Sequence, residues 1–82
     1  MKDVTYTRAA MRVLRRMPAK TASRIETKVA EYAADPAALA NNVTALKGRE
    51  AVRLRVGDWR VIMHDGVVLT ILEIGPRSGI YD

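Results

Sequence analysis

The sequence predicts one α+β domain spanning residues 1–82. The expected order is a short N-terminal strand, an antiparallel helix hairpin and a three-stranded antiparallel meander, with the helices packed on one sheet face. Apolar residues recur at helical spacing through the first half, the period changes to about 2 after Ala51, and turn dipeptides stand at Gly57-Asp58 and Asp65-Gly66. A chain of 82 residues has room for a single core, since domains of this size bury only about 60% of the surface the unfolded chain exposes. With 49% hydrophobic and 28% charged residues the composition is ordinary globular usage.

Asp3-Val4-Thr5-Tyr6 alternates and is β-branched or aromatic, which suits a short strand. Thr7 is placed to cap a helix whose apolar stripe is Ala10, Val13, Leu14 and Met17, with Arg8, Arg12, Arg15 and Arg16 pointing the other way. Pro18 opens a second helix, with Ala22, Ile25, Val29, Tyr32 and Ala33 on one face and Arg24, Thr27, Lys28 and Glu31 on the other; Pro36 stops it. So short a junction at Met17-Pro18 folds the helices back on each other. Pro36 to Ala45 reads as a loop. The meander follows as Ala51 to Val56, Trp59 to His64 and Val67 to Ile74.

Composition narrows the chemistry. There is no cysteine, so disulfides, thiolate metal sites and cysteine nucleophiles are excluded. His64 is the only histidine and none of the five glycines builds a phosphate loop, so neither metal nor cofactor is expected. No apolar run approaches the ~20 residues of a membrane span, and no signal region follows Met1-Lys2-Asp3, which makes a cytoplasmic protein the expectation. Fourteen Lys+Arg against nine Asp+Glu give +5, and ten of the cations are arginine, the residue suited to bidentate phosphate binding. The partner expected is a polyanion. Residues 1–46 hold eight cations and four anions and residues 47–82 six and five, so the surplus lies on the helices.

Hairpin arithmetic places a site elsewhere. With Gly57-Asp58 as a two-residue turn, Val56 faces Trp59, Arg55 faces Arg60 and Leu54 faces Val61, so Arg53, Arg55 and Arg60 share one sheet face. The same count through Asp65-Gly66 sets Ile62 opposite Leu69 and Arg60 opposite Ile71. Val52, Leu54, Val56, Trp59, Val61, Met63, Val68, Leu72 and Ile74 then form the apolar face. Arginines directly across a ladder repel, a cost that an anion site would explain; the alternative is that they are only solvated on an open sheet face, with Glu73, near Arg60 in this register, neutralising one of them. Gly75-Pro76-Arg77 is expected to leave the last strand and bring Arg77 and Tyr81 beside it, a cation and an aromatic ring suited to phosphate and base.

These residues resemble the RelE/ParE superfamily of type II toxin-antitoxin toxins, and within it the RelE-like mRNA endoribonucleases. The resemblance rests on Leu46-Lys47-Gly48, on Val52 to Ile62, on Leu72-Glu73-Ile74-Gly75-Pro76-Arg77 and on Ile80-Tyr81, in the family's order and spacing. It implies a ribosome-dependent, metal-independent nuclease that cuts mRNA in the A site by 2′-hydroxyl attack, with Arg53, Arg55, Arg60, Arg77 and Tyr81 as the catalytic set. The implied partners are a cognate antitoxin, in a heterodimer or heterotetramer, and the ribosome with its mRNA. Arg8, Arg12, Arg15, Arg16, Lys20, Arg24 and Lys28 on the helices, with Lys47, either grip RNA or keep the domain solvated. The chain departs from the family pattern in two places. Arg55 stands where relatives carry lysine, and arginine is a poor general base; Pro76 replaces a basic residue. Glu50, Asp58 and His64 are the substitute bases, and relatives with an additional C-terminal helix extend beyond the position of Asp82. The alternatives are a ParE-like gyrase inhibitor without nuclease chemistry and a catalytically impaired antitoxin-binding module.

Overall fold

The computed structural model describes residues 1–77. In chain order the elements are β1 (Val4–Tyr6), α1 (Arg8–Arg16), α2 (Ala19–Ala34), a 3-10 helix (Pro36–Asn42), β2 (Val43–Ala45), β3 (Val52–Val56), β4 (Trp59–Asp65) and β5 (Leu69–Pro76). The strands form one sheet of order β1-β5-β4-β3-β2, in which β1 runs parallel to β5 and every other pair is antiparallel.

Both helices begin where their residues require. The Thr7 hydroxyl accepts from the Ala10 N–H at 3.1 Å and donates to the Leu72 carbonyl at 2.8 Å, so one side chain caps α1 and ties it to β5. Arg15 and Arg16 occupy the last turn, where cations complement the helix dipole. Pro18 precedes α2, and its carbonyl accepts the Ala22 N–H at 3.0 Å. The helices pack on one side of the sheet, α1 over β5 and α2 over β3. Between them and the strands, Ala10, Ile25, Val29, Leu54, Val61, Met63, Leu69 and Ile71 are sealed from solvent. Each of the larger side chains there contributes roughly 1.5–3 kcal/mol.

The strand, helix hairpin and meander form as expected, and three details of the sheet differ. The sheet has five strands, because Val43-Thr44-Ala45 pairs with Leu54-Arg53-Val52 and β1 joins the far edge. The stretch Pro36 to Ala45 is therefore a 3-10 helix followed by an edge strand, and three residues are too few to show a period. The β4–β5 turn is not a two-residue Asp-Gly turn. Asp65 remains in β4 opposite Leu69, and neither Asp65 nor Gly66 has the positive φ that a type I′ turn demands. Tertiary partners hold Asp65 instead: its carboxylate accepts from the Tyr32 hydroxyl at 2.8 Å and from the Lys2 ammonium.

The longer loop and a bulge change the register. Ile62 faces Glu73 and Met63 faces Ile71, which leaves Leu72 as the extra residue of the bulge. Arg60 consequently faces Gly75 rather than Ile71. Leu69 and Ile71 point to the helices, Val68 is exposed, and Leu72 turns to the opposite face. The last strand also runs on through Gly75 and Pro76. On that opposite face Leu46 and Ala51 close over Ile62 with Leu72 beside them, and the Leu46 N–H donates to the Ala51 carbonyl at 3.0 Å. Gly48, at φ +70°, makes the turn that allows this closure. The Leu46-Lys47-Gly48 segment thus has a structural role.

Candidate nucleic-acid interface

The β3–β4 turn sets the geometry of the site. Gly57 adopts φ +59°, the two-residue connection forms as expected, and Val56, Arg55 and Leu54 face Trp59, Arg60 and Val61. Arg53, Arg55 and Arg60 therefore share the face away from the helices. Arg53 lies between Thr44 of β2 and Ile62 of β4. Arg60 lies between Arg55 and Gly75. Arg77 follows β5, and its N–H donates to the Asp58 carbonyl at 2.9 Å, so the β3–β4 turn fixes its backbone.

Two depressions meet at Arg60. A cleft of about 70 Å³ is lined by Asn41, Asn42, Thr44, Arg53, Arg55 and Arg60. An open hollow of about 470 Å³ is lined by Asp58, Arg60, Pro76 and Arg77. Arg60 is half-buried, and its guanidinium is lowered from the usual arginine pKa, first by desolvation and then by the positive charges of Arg53, Arg77 and Arg55. A site built this way attracts an anion because each phosphate bound relieves repulsion among the arginines.

Not every candidate residue belongs to this group. Arg8, Arg12, Arg15 and Arg16 line a separate groove of about 640 Å³ with Tyr6 and Met11. The Tyr6 phenol there is pushed up by burial and then by Glu26. Lys20 lies at the start of α2, and Lys47 is exposed on the loop before β3. Tyr81 lies outside the described residues. Of the substitute bases, Asp58 lines the hollow with Arg60 and Arg77, whereas His64 is four strand residues from Arg60, about 13 Å at ~3.3 Å per residue. Glu50 is exposed in the turn before β3. Asn41, Asn42 and Thr44 are the wall residues that sequence reading passed over as loop; Thr44 is placed by its pairing with Arg53. Among the described residues no three His, Asp or Glu side chains converge as metal ligands, and no helix is long and apolar enough to cross a membrane.

The family model for the ParE toxin of type II toxin-antitoxin systems (parDE) matches residues 4–81. The chain belongs to this toxin family. The toxin's fold is that of the RelE toxins. The archaeal RelE–RelB complex from Pyrococcus horikoshii OT3 superposes with a TM-score of 0.77 at 23% identity, covering 96% of this chain and 98% of that one. The E. coli RelBE complex gives 0.74 at 15%, covering 93% and 96%, and the RelB–RelE complex from Methanococcus jannaschii gives 0.73 at 20%, covering 95% of each. At these identities the likeness is one of fold. No curated protein matches the toxin by sequence.

Proposed function

We propose that this toxin is a metal-independent endoribonuclease that cleaves mRNA in the ribosomal A site and so stops translation. The observation that carries this reading is the gathering of Arg53, Arg55 and Arg60 on one sheet face, with Arg77 tied to its rim through the β3–β4 turn. In the proposed step the 2′-oxygen of one nucleotide bonds to the adjacent phosphorus while the bond from phosphorus to the next 5′-oxygen breaks, leaving a 2′,3′-cyclic phosphate. The 2′-hydroxyl proton passes to a base, and the departing 5′-oxygen receives one. The arginines stabilise the charge that grows on the phosphoryl oxygens, and the ribosome supplies orientation. Tyr81 orients or stacks a base in this scheme. Asp58 is the carboxylate on the wall shared with Arg60 and Arg77, so it is the proton acceptor to test first. Arg8, Arg12, Arg15 and Arg16, with Lys20 and Lys47, are assigned to RNA contacts outside the cleavage site. The toxin is held by a cognate antitoxin in the cytoplasm, as the RelE chains of the solved complexes are found with RelB.

The family model favours a second reading, a ParE-type inhibitor of DNA gyrase without nuclease chemistry. Arg55 and Pro76 suit a third, an antitoxin-binding module that has lost activity. Controlled expression followed by primer extension on translated mRNA, beside a gyrase supercoiling assay, separates them. Ribosome-dependent cuts that fall by about 10²–10³ in Arg77→Ala are expected, the range for losing one transition-state donor. Growth arrest with intact mRNA and inhibited supercoiling sinks the nuclease reading, and no arrest at all leaves the third.

A further inference from the structure

Across the β3–β4 turn from the arginine hollow lies a cavity of about 310 Å³ that the cleavage site does not use. Its floor is apolar, from buried Ile25 and Val56. Lys20 and Arg24 stand over that floor, four residues apart and so on one side of α2. Trp59, half-buried at the start of β4, supplies an aromatic wall. The Arg24 guanidinium lies against the turn, with Nη1 3.4 Å from where a side chain on Gly57 would begin. Among the described residues neither Lys20 nor Arg24 is committed to an ion pair, so both can meet a ligand's negative charge.

Position indicates the kind of ligand. Asp58 lines both this cavity and the hollow holding Arg60 and Arg77, so the two are contiguous around one turn. A polyanion spanning both would place its charges beside the cations on either side of Asp58 and away from its carboxylate. A ligand that follows this route carries negative charges at intervals and flat groups between them. Resting on the reading that the toxin acts on RNA, we infer that this cavity is a nucleotide subsite for the bound strand. Lys20 and Arg24 hold a backbone phosphate away from the cleavage point, and the Trp59 indole stacks a base. Stacking on an aromatic face accepts any base, so the subsite sets strand path and not sequence. An acidic peptide would satisfy the cations but leave the indole unused.

Trp59 is the single tryptophan, so its emission reports on this cavity. The isolated toxin is titrated with 2′-O-methyl hexauridylate, which cannot be cleaved, and with hexaglutamate as the peptide control. The nucleotide is expected to quench Trp59. The double variant Lys20→Ala, Arg24→Ala is expected to weaken binding about tenfold. It should also lower the slope of log K against log salt by about 1, the change that follows when one or two phosphates of a single strand are no longer neutralised. Both side chains are exposed, and a thermal melt checks the fold; Lys20→Glu alone is the second variant, expected to act in the same direction. Unchanged Trp59 emission, or unchanged affinity and slope in a folded variant, overturns the inference. Hexaglutamate binding as tightly with the same quench overturns it in favour of an acidic protein partner. Quenching by the nucleotide together with intact mRNA in the expression assay leaves the subsite standing and removes the nuclease reading.

Discussion

At one end of β4, Asp65 sits with its carboxylate between the Tyr32 hydroxyl and the Lys2 ammonium; at the other, Arg60 sits among Arg53, Arg55 and Arg77. The first arrangement lowers the Asp65 carboxyl, chiefly through the Lys2 hydrogen bond, and pushes the Tyr32 phenol up to about 12, chiefly through burial. Each group there is held in the protonation state its neighbours prefer. The second arrangement opposes the charge of Arg60. One end of the strand fastens the N-terminus and α2 to the sheet, while the other keeps like charges together. In the proposed function the bound RNA offsets that crowding.

The comparison breaks first at Arg60. Arg60→Ala is expected to reduce single-turnover mRNA cleavage on ribosomes by about 10²–10³. Its melting temperature is expected to move less than that of Asp65→Ala, because removing a charge crowded by Arg53, Arg55 and Arg77 offsets part of the contact that is lost with it. A matching loss of stability would make Arg60 a structural residue and remove the contrast.

Asp65→Ala should do the reverse. It leaves the Tyr32 hydroxyl, on a residue only 6% exposed, without its acceptor and frees Lys2. Losing a hydrogen-bonded charge of this kind costs about 2 kcal/mol. For a domain this small that corresponds to roughly 10 °C in Tm, readable by calorimetry. Cleavage below the melting range should be unchanged.

A smaller effect sharpens the same contrast. Because the Asp65 carboxyl is lowered on folding, its contribution is present above the ordinary carboxylate pKa near ~3.9 and drains as pH falls below it. Because the Tyr32 phenol is raised, its contribution is complete below ~10 and is lost as pH rises from there through about 12. Denaturation against pH should show a plateau with a fall on each side, and Asp65→Asn should flatten the acid side. An acid fall unchanged in Asp65→Asn would assign it to other carboxylates.

The two turns also explain what was legible in the amino-acid order. Gly57 fixes a two-residue turn by backbone conformation alone, so counting outward from it placed Arg55 opposite Arg60 and brought three site arginines together. Thr7 and the apolar stripes of both helices were legible for the same reason, since their partners lie within a few residues. Asp65-Gly66 offers an equally strong local signal, but Tyr32, 33 residues away, and Lys2, 63 residues away, hold the carboxylate and set a longer loop. Pairing of β1 with β5 and of β2 with β3 likewise depends on distant chain, which is why β1 was legible as a strand but not its partner, and why β2 and the Asn41, Asn42 and Thr44 wall were missed.

The finest test of the arginine end is Arg55→Lys. An arginine side chain keeps its proton across the working pH range, so in the proposed mechanism position 55 stabilises charge and accepts no proton. A lysine in the same row faces Arg60 across the ladder, and neighbouring cations depress an ammonium. The variant should lose less than tenfold in single-turnover rate near neutrality, because the point charge remains while the fork of donors is gone. Its log rate should then acquire a rising limb between roughly pH 8 and 10 that the parent lacks, as neutral amine becomes available to take the 2′-hydroxyl proton. A parallel profile in both proteins would confine position 55 to electrostatics and move the proton acceptor elsewhere; Asp58→Asn, measured on the same profile, would then test whether the β3–β4 turn supplies it.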